Sequence, residues 1–262
     1  MDIFQQIILA IVQAILEWLP VSSEGFIVLL SVNVFQETEL EAIRIAIYFH
    51  LGTAIAVLLK YWRQYLDALF KDRNLLRFII ITTLFTGVVG IPVYLLLKEI
   101  FSVSNGMIIT LIIGILLIVT GTLLRLGRLK STNSIDMDNR KIGDEIALGA
   151  CQGFAILPGI SRSGTTMSYL LLRGFKKEDA FKMSFLISLP AVVGAIAFDF
   201  FFEDIPFEIT LEYLILMAVV AVLGYLTMDL LLRLAKRVSF DVICYILSAI
   251  TIILVIIFYV AT

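Results

Sequence analysis

Pro158-Gly159-Ile160-Ser161-Arg162-Ser163-Gly164-Thr165-Thr166 places a permanently charged guanidinium among hydroxyls and glycines, inside sequence that is otherwise oily. An arginine at the middle of a bilayer costs roughly 2.5–3.5 kcal/mol on the insertion scale, so it requires a partner, a water-filled cavity or an anionic ligand. Gly164 is expected to open a short helix from Thr165 to Leu172. The first backbone N–H groups of such a helix lack intrahelical acceptors and carry the positive end of the dipole. Arginine, hydroxyls and a helix N-terminus together describe a phosphate cradle. The plainer alternative is that Ser161 or Ser163 caps the helix while Arg162 snorkels to an interface. Snorkelling explains neither the glycines nor the paired serines, which favours the anion site.

Around this stretch, 60% of the 262 residues are hydrophobic and 16% are charged. The mean hydropathy is +1.02. Such a profile excludes an ordinary soluble domain and indicates a multi-pass membrane protein. The formal net charge of -2 says little about partners, because the placement of lysine and arginine matters more than their sum, and nothing suggests nucleic acid. Cys151 and Cys244 lie in apolar segments without metal-ligand spacing and read as small buried hydrophobes. The first twenty residues lack a basic n-region and a small-residue cleavage site, so they are read as structure and not as a signal peptide.

Residues 4–19 are apolar but interrupted by Gln5, Gln6, Gln13 and Glu17 and end at Pro20, too short and too polar for a span. With the apolar run from Phe26 to about Phe35 they predict a helical hairpin that enters the membrane and turns back. Residues 142–157, broken by Gln152 and ended by Leu157-Pro158, predict a second such hairpin with the helix that runs to Leu172. Full spans are expected at about 41–61, 77–97, 106–126, 180–202, 211–233 and 241–261. A short connector is expected around Lys98 and Glu99. The segments 62–76 and 127–141 carry an excess of lysine and arginine and should be cytoplasmic, whereas 34–40 and the acidic 203–209 should be external. Asp199 and Asp229 fall near span ends, and Trp18, Tyr61, Trp62 and Tyr259 suit interfacial anchoring.

The fold class expected is therefore all-α integral membrane, with six transmembrane helices and two re-entrant hairpins in an inverted-topology repeat. Residues 1–126 form the first repeat, 127–141 a cytoplasmic linker and 142–262 the second. Gln13 to Gly25 and Gln152 to Gly164 share a Gln…Leu-Pro…Ser pattern. Inverted repeats with broken helices bring their polar tips together near the midplane, where they build a binding site. Glu17, Ser22, Ser23 and Glu24 would then face Ser161, Arg162, Ser163, Gly164, Thr165 and Thr166. Glu17 has to pair, protonate or hold a cation. Pairing with Arg162 is the structural reading, and a role as general base or metal ligand is the functional one. His50, the only histidine, is read as a packed residue supporting the site.

Both motifs resemble those of the undecaprenyl-diphosphate phosphatase family, over nearly the whole length. The resemblance rests on Glu17-Trp18-Leu19-Pro20-Val21-Ser22-Ser23-Glu24-Gly25 and on the stretch from Pro158 to Thr166. It implies a phosphohydrolase that regenerates the polyprenyl phosphate carrier of cell-envelope synthesis, in the plasma membrane, with a divalent cation such as magnesium or calcium. It assigns Glu17 to a catalytic, cation-binding carboxylate, Ser22 and Ser23 to active-site hydroxyls, and Ser161, Arg162, Ser163 and Thr166 to diphosphate ligands. The partners expected are the bilayer, a polyprenyl diphosphate lipid and a second copy of the chain as a homodimer. This chain departs from the family pattern at Gln13, where a glutamate is usual, and at Phe26, where a histidine is usual. Glutamine cannot act as a base and phenylalanine can neither donate nor accept. Glu24 and His50 are the groups at hand to replace them. A carrier that binds and flips a polyprenyl phosphate without cleaving it is the competing class.

Overall fold

Long aliphatic runs with few charges form helices because a backbone in lipid must satisfy its own hydrogen bonds. A computed structural model of the protein describes residues 1–103, 106–130, 134–202 and 210–261. Among the described residues, six helices are long and apolar enough to cross a membrane. They are α3 (Glu39–Phe70), α4 (Arg73–Val103), α5 (Gly106–Lys130), α8 (Lys177–Phe202), α9 (Leu211–Arg237) and α10 (Phe240–Ala261). Their outward faces present large apolar side chains such as Leu84, Val88, Leu226, Leu230, Ile253 and Ile257. So extensive an apolar surface marks contact with lipid.

Four further helices are short: α1 (Ile3–Leu16), α2 (Ser23–Asn33), α6 (Ile142–Gly153) and α7 (Arg162–Leu172). The longest, α1, has 14 residues. At about 1.5 Å per residue none of them can cross a hydrocarbon core of about 30 Å. Asp2 starts α1 with a reciprocal capping box to Gln5. Pro20 and Pro158 stand where α1 and α6 have ended, consistent with the loss of a backbone donor there.

The packing exchanges partners between the two halves of the chain. The first short helix of each half lies on a span of the other: α1 packs on α9, and α6 packs on α4. Of the second short helices, α2 lies on α3, and α7 lies on α5 and α8. Helix α3 also packs on α8, and α5 on α10. At the base of the second hairpin, Glu145 is fully buried between Arg77 and Arg140, at 3.1 and 3.3 Å. Arg173 holds Asp144 at 2.6 Å.

Several boundaries differ from those expected. The segment 62–76 is helical apart from Lys71-Asp72, because α3 and α4 continue past their apolar windows and bury Ala68, Leu75 and Phe78 in one cluster. Lys98 and Glu99 lie inside α4, not in a connector. Arg140 is not a solvated loop charge: it is buried, pairs with Glu145 and stacks 4.9 Å from the Phe78 ring. Burial lowers its pKa from the ordinary arginine value, with Glu145 opposing the shift. Residues 134–136 return along 174–176, where the Ser134 and Ile135 N–H groups donate to the Gly174 carbonyl and Lys176 pairs with Asp136. Trp18 is not an interfacial anchor. It is 1% exposed and packs on Phe185 with ring centroids 5.6 Å apart. Asp229 is exposed as expected and pairs with Lys60 at 2.5 Å. The acidic segment 203–209, residues 131–133 and the side chains of Asp199 and Tyr259 lie outside the described residues.

Candidate functional site

The first hairpin turns after Leu16, where α1 ends ahead of Pro20. Glu17 closes that helix, its backbone N–H still donating to the Gln13 carbonyl at 3.1 Å. The chain reverses through Pro20 to Ser22, which adopts φ 62°, a left-handed conformation uncommon for a residue with a side chain. That conformation points the Ser22 hydroxyl at two backbone donors, Gly25 N–H at 3.3 Å and Gly159 N–H at 2.9 Å. The second of these is the tip of the other hairpin. A Cβ on Gly25 would stand 2.9 Å from the Gly159 nitrogen, so the two tips meet backbone to backbone. Thr120 in α5 fastens the second tip by donating to the Gly159 carbonyl at 2.8 Å and accepting from Ser161 N–H at 3.1 Å. Nothing in the sequence had singled out Thr120, a hydroxyl in an aliphatic span.

The tips place Glu17 beside Arg162. The Arg162 Nη2 lies 2.5 Å from Glu17 Oε1, with 145 positions between the two residues. Glu17 Oε2 accepts from Ser23 Oγ at 2.8 Å and from Gln13 Nε2 at 3.1 Å. His50 in α3 brings its Nε2 to 3.3 Å from the same oxygen, so it touches the centre instead of merely supporting it. Arg162 is held further by the Ser184 carbonyl at 3.3 Å and by the Phe185 face at 5.5 Å.

Helix α7 begins at Arg162 and not at Thr165, because Ser161 caps it by accepting Gly164 N–H at 3.1 Å. Capping and the arginine site, set against each other from the sequence, thus coexist. Ser161 and Ser163 lie 3.3 Å apart at their hydroxyls and line the pocket with Ser22, Ser23 and Glu24. Gly164 lies against Pro20, its amide spent on the Ser161 cap. Thr166 points away toward α8, with its hydroxyl on the Arg162 carbonyl at 2.8 Å and 2.7 Å from Ser184 Oγ. Thr165 is buried, its hydroxyl has no partner among the described residues, and it does not line the pocket.

The polar pocket is small, about 20 Å³. It adjoins an apolar chamber of about 280 Å³ between α4 and α8, walled by Ile91, Tyr94, Pro190, Val192 and Phe198. Glu24, His50 and Arg162 line both cavities. A charged recess opening into an apolar chamber suits a ligand with an ionised head and an oily tail.

Glu17 does not fit the role of a cation ligand in this arrangement. Its two oxygens face only donors: a guanidinium, an amide, a hydroxyl and an imidazole nitrogen. Hard cations take oxygens with free lone pairs. Among the described residues no three His, Cys, Asp or Glu side chains are grouped to hold a metal ion.

Replacing Ser22 with alanine leaves the Gly159 and Gly25 N–H groups without this buried acceptor, and a loss of about 1–3 kcal/mol is expected. Replacing Ser23 removes one of several donors to Glu17 and should cost less, about 1 kcal/mol. Thermal unfolding of the two purified variants in detergent measures the difference, and a larger loss for Ser23→Ala would contradict the arrangement of the tips.

The model of the bacitracin resistance protein BacA family matches residues 6–253. The chain is 42% identical over 252 residues to an undecaprenyl-diphosphatase of Methanothrix thermoacetophila, covering 96% of each protein. It is 37% identical to one of Haloarcula marismortui, over 91% of this chain and 92% of the relative. An undecaprenyl-diphosphatase of Methanococcoides burtonii is 38% identical over 93% of this chain and 95% of its own. With the family model matching nearly its whole length and these relatives 37–42% identical over more than nine-tenths of each protein, the chain belongs to the bacitracin resistance protein BacA family.

Proposed function

We propose that the protein hydrolyses an undecaprenyl-type polyprenyl diphosphate to the monophosphate and inorganic phosphate in the plasma membrane, recycling the lipid carrier of cell-envelope synthesis. The observation that carries this reading is the junction of the two cavities, where Arg162 and His50 stand between a polar recess and an apolar chamber. The diphosphate sits at that junction, the first part of the prenyl chain lies in the chamber between α4 and α8, and the rest remains in lipid.

Ser23 Oγ already donates to Glu17 at 2.8 Å, the contact of a hydroxyl nucleophile with its base. In the proposed reaction the Ser23 oxygen bonds to the terminal phosphorus, its proton passes to Glu17, and the bond to the bridging oxygen breaks. Polyprenyl monophosphate leaves with that oxygen, and water then releases phosphate from the serine. Arg162 neutralises charge gathering on the phosphoryl oxygens. Ser161 and Ser163 contribute hydroxyls at the recess wall.

The swapped packing of α1 on α9 and α6 on α4 supports the reading of residues 1–126 and 142–262 as inverted repeats with re-entrant hairpins. Purified protein in detergent should release phosphate from a polyprenyl diphosphate. Release no greater than that of Arg162→Ala would end the phosphatase reading, and binding without release would indicate a carrier instead.

A further inference from the structure

The centre sets the Glu17 carboxylate between the Arg162 guanidinium and the His50 ring. His50 Nδ1 lies 2.6 Å from the Ala46 carbonyl, which can only accept, so Nδ1 carries a hydrogen. A neutral ring would then turn the lone pair of Nε2 toward Glu17 Oε2, acceptor against acceptor at 3.3 Å. A ring with hydrogens on both nitrogens satisfies both contacts and adds a positive charge next to that of Arg162. Gln13 completes the ring of donors. Its amide nitrogen faces Glu17 at 3.1 Å, and turning the amide over would set oxygen against oxygen. Glu24 lines the same pocket within electrostatic reach of His50 and Glu17, and accepts no hydrogen bond among the described residues. With both Glu17 oxygens turned to Arg162, Ser23 and Gln13, Glu24 is left as the open carboxylate of the pocket, a poor cage for a divalent ion by itself.

We infer that this chain neutralises a bound diphosphate with its own Arg162 and His50 in place of a divalent cation, and that Gln13 closes the Glu17 centre to that cation. The inference rests on the reading of this centre as a diphosphate site. Gln13→Glu would set a second carboxylate beside Glu17 and restore a pair of hard oxygen ligands.

The test uses the full chain in detergent, with calorimetric binding of farnesyl diphosphate and phosphate release from a polyprenyl diphosphate each measured in EDTA and in magnesium. Both should change by less than about threefold between the two conditions, whereas His50→Gln should weaken binding in EDTA by about tenfold through loss of a charged donor. Gln13→Glu should lose about tenfold in EDTA and regain it with magnesium, and manganese paramagnetic resonance should show a bound ion in that variant only. The wild-type measurements decide the matter even if Gln13→Glu does not fold. Wild-type binding that needs magnesium overturns the inference, as does release that needs it. Manganese held by the wild-type protein and lost in Glu24→Gln also overturns it, by showing a cation that enters with the ligand. Binding in EDTA without phosphate release in either condition sustains the inference and removes the phosphatase reading. No binding in either condition removes the inference itself.

Discussion

Phosphate release by Arg162→Ala is expected to fall about 100- to 1000-fold, the usual consequence of removing a positioned donor from developing oxyanion charge. The same change leaves Glu17, 6% exposed, with His50 as its one cationic neighbour, so a loss of about 1–3 kcal/mol in stability accompanies it. A double-mutant cycle separates the two effects. Arg162→Ala takes from Glu17 one of its two cationic neighbours and Glu17→Ala leaves Arg162 and His50 without their carboxylate, whereas the double variant removes the Arg162–Glu17 contact from both sides, so its stability loss should be smaller than the sum by about 1–3 kcal/mol. Arg162→Lys restores the charge but not the planar fork that reaches both Glu17 and the Ser184 carbonyl, and its activity should lie between wild type and alanine. Additive losses in the cycle, measured by thermal unfolding, would mean that the two side chains do not depend on each other.

Gly159→Ala should be strongly destabilising. Gly159 has φ +106°, where a side chain is strained, and a Cβ there would stand 2.8 Å from Leu116 Cβ and 2.9 Å from the Ile113 carbonyl. Those atoms belong to α5 and cannot retreat as a flexible side-chain end would. The glycine also receives the hydrogen bond of Thr120 and donates the one that joins the tips. A loss of about 4 kcal/mol, a large part of the stability of a typical protein, is expected. Gly143→Ala is the control, since nothing lies within 4 Å of the Cβ it would add. Melting temperatures of the two variants in the same detergent should differ widely. Equal values would show that the tips are not packed against α5.

The apolar run lengths in the sequence determined the six long helices and the four short ones. In lipid the length of an unbroken apolar run and the closure of backbone hydrogen bonds leave little choice. They also determined that Glu17 and Arg162 each need a partner, because a charge in apolar surroundings must find one. Local pattern could not determine what each face meets. The anchoring of the second tip depends on Thr120, a hydroxyl of α5 that accepts from Ser161 N–H. Thr166 looks like a phosphate ligand from its motif, yet α8 supplies Ser184 as a neighbour on the opposite side. Trp18 suits an interface by type, and only the approach of Phe185 buries it. Gln13 reads in sequence as the loss of a carboxylate, and only the tertiary structure makes it one of the donors around Glu17, with His50 arriving from α3. These outcomes share one cause: each is settled by an atom from a distant part of the chain, and the hydrogen-bonding of a buried polar group is decided by the partner that reaches it.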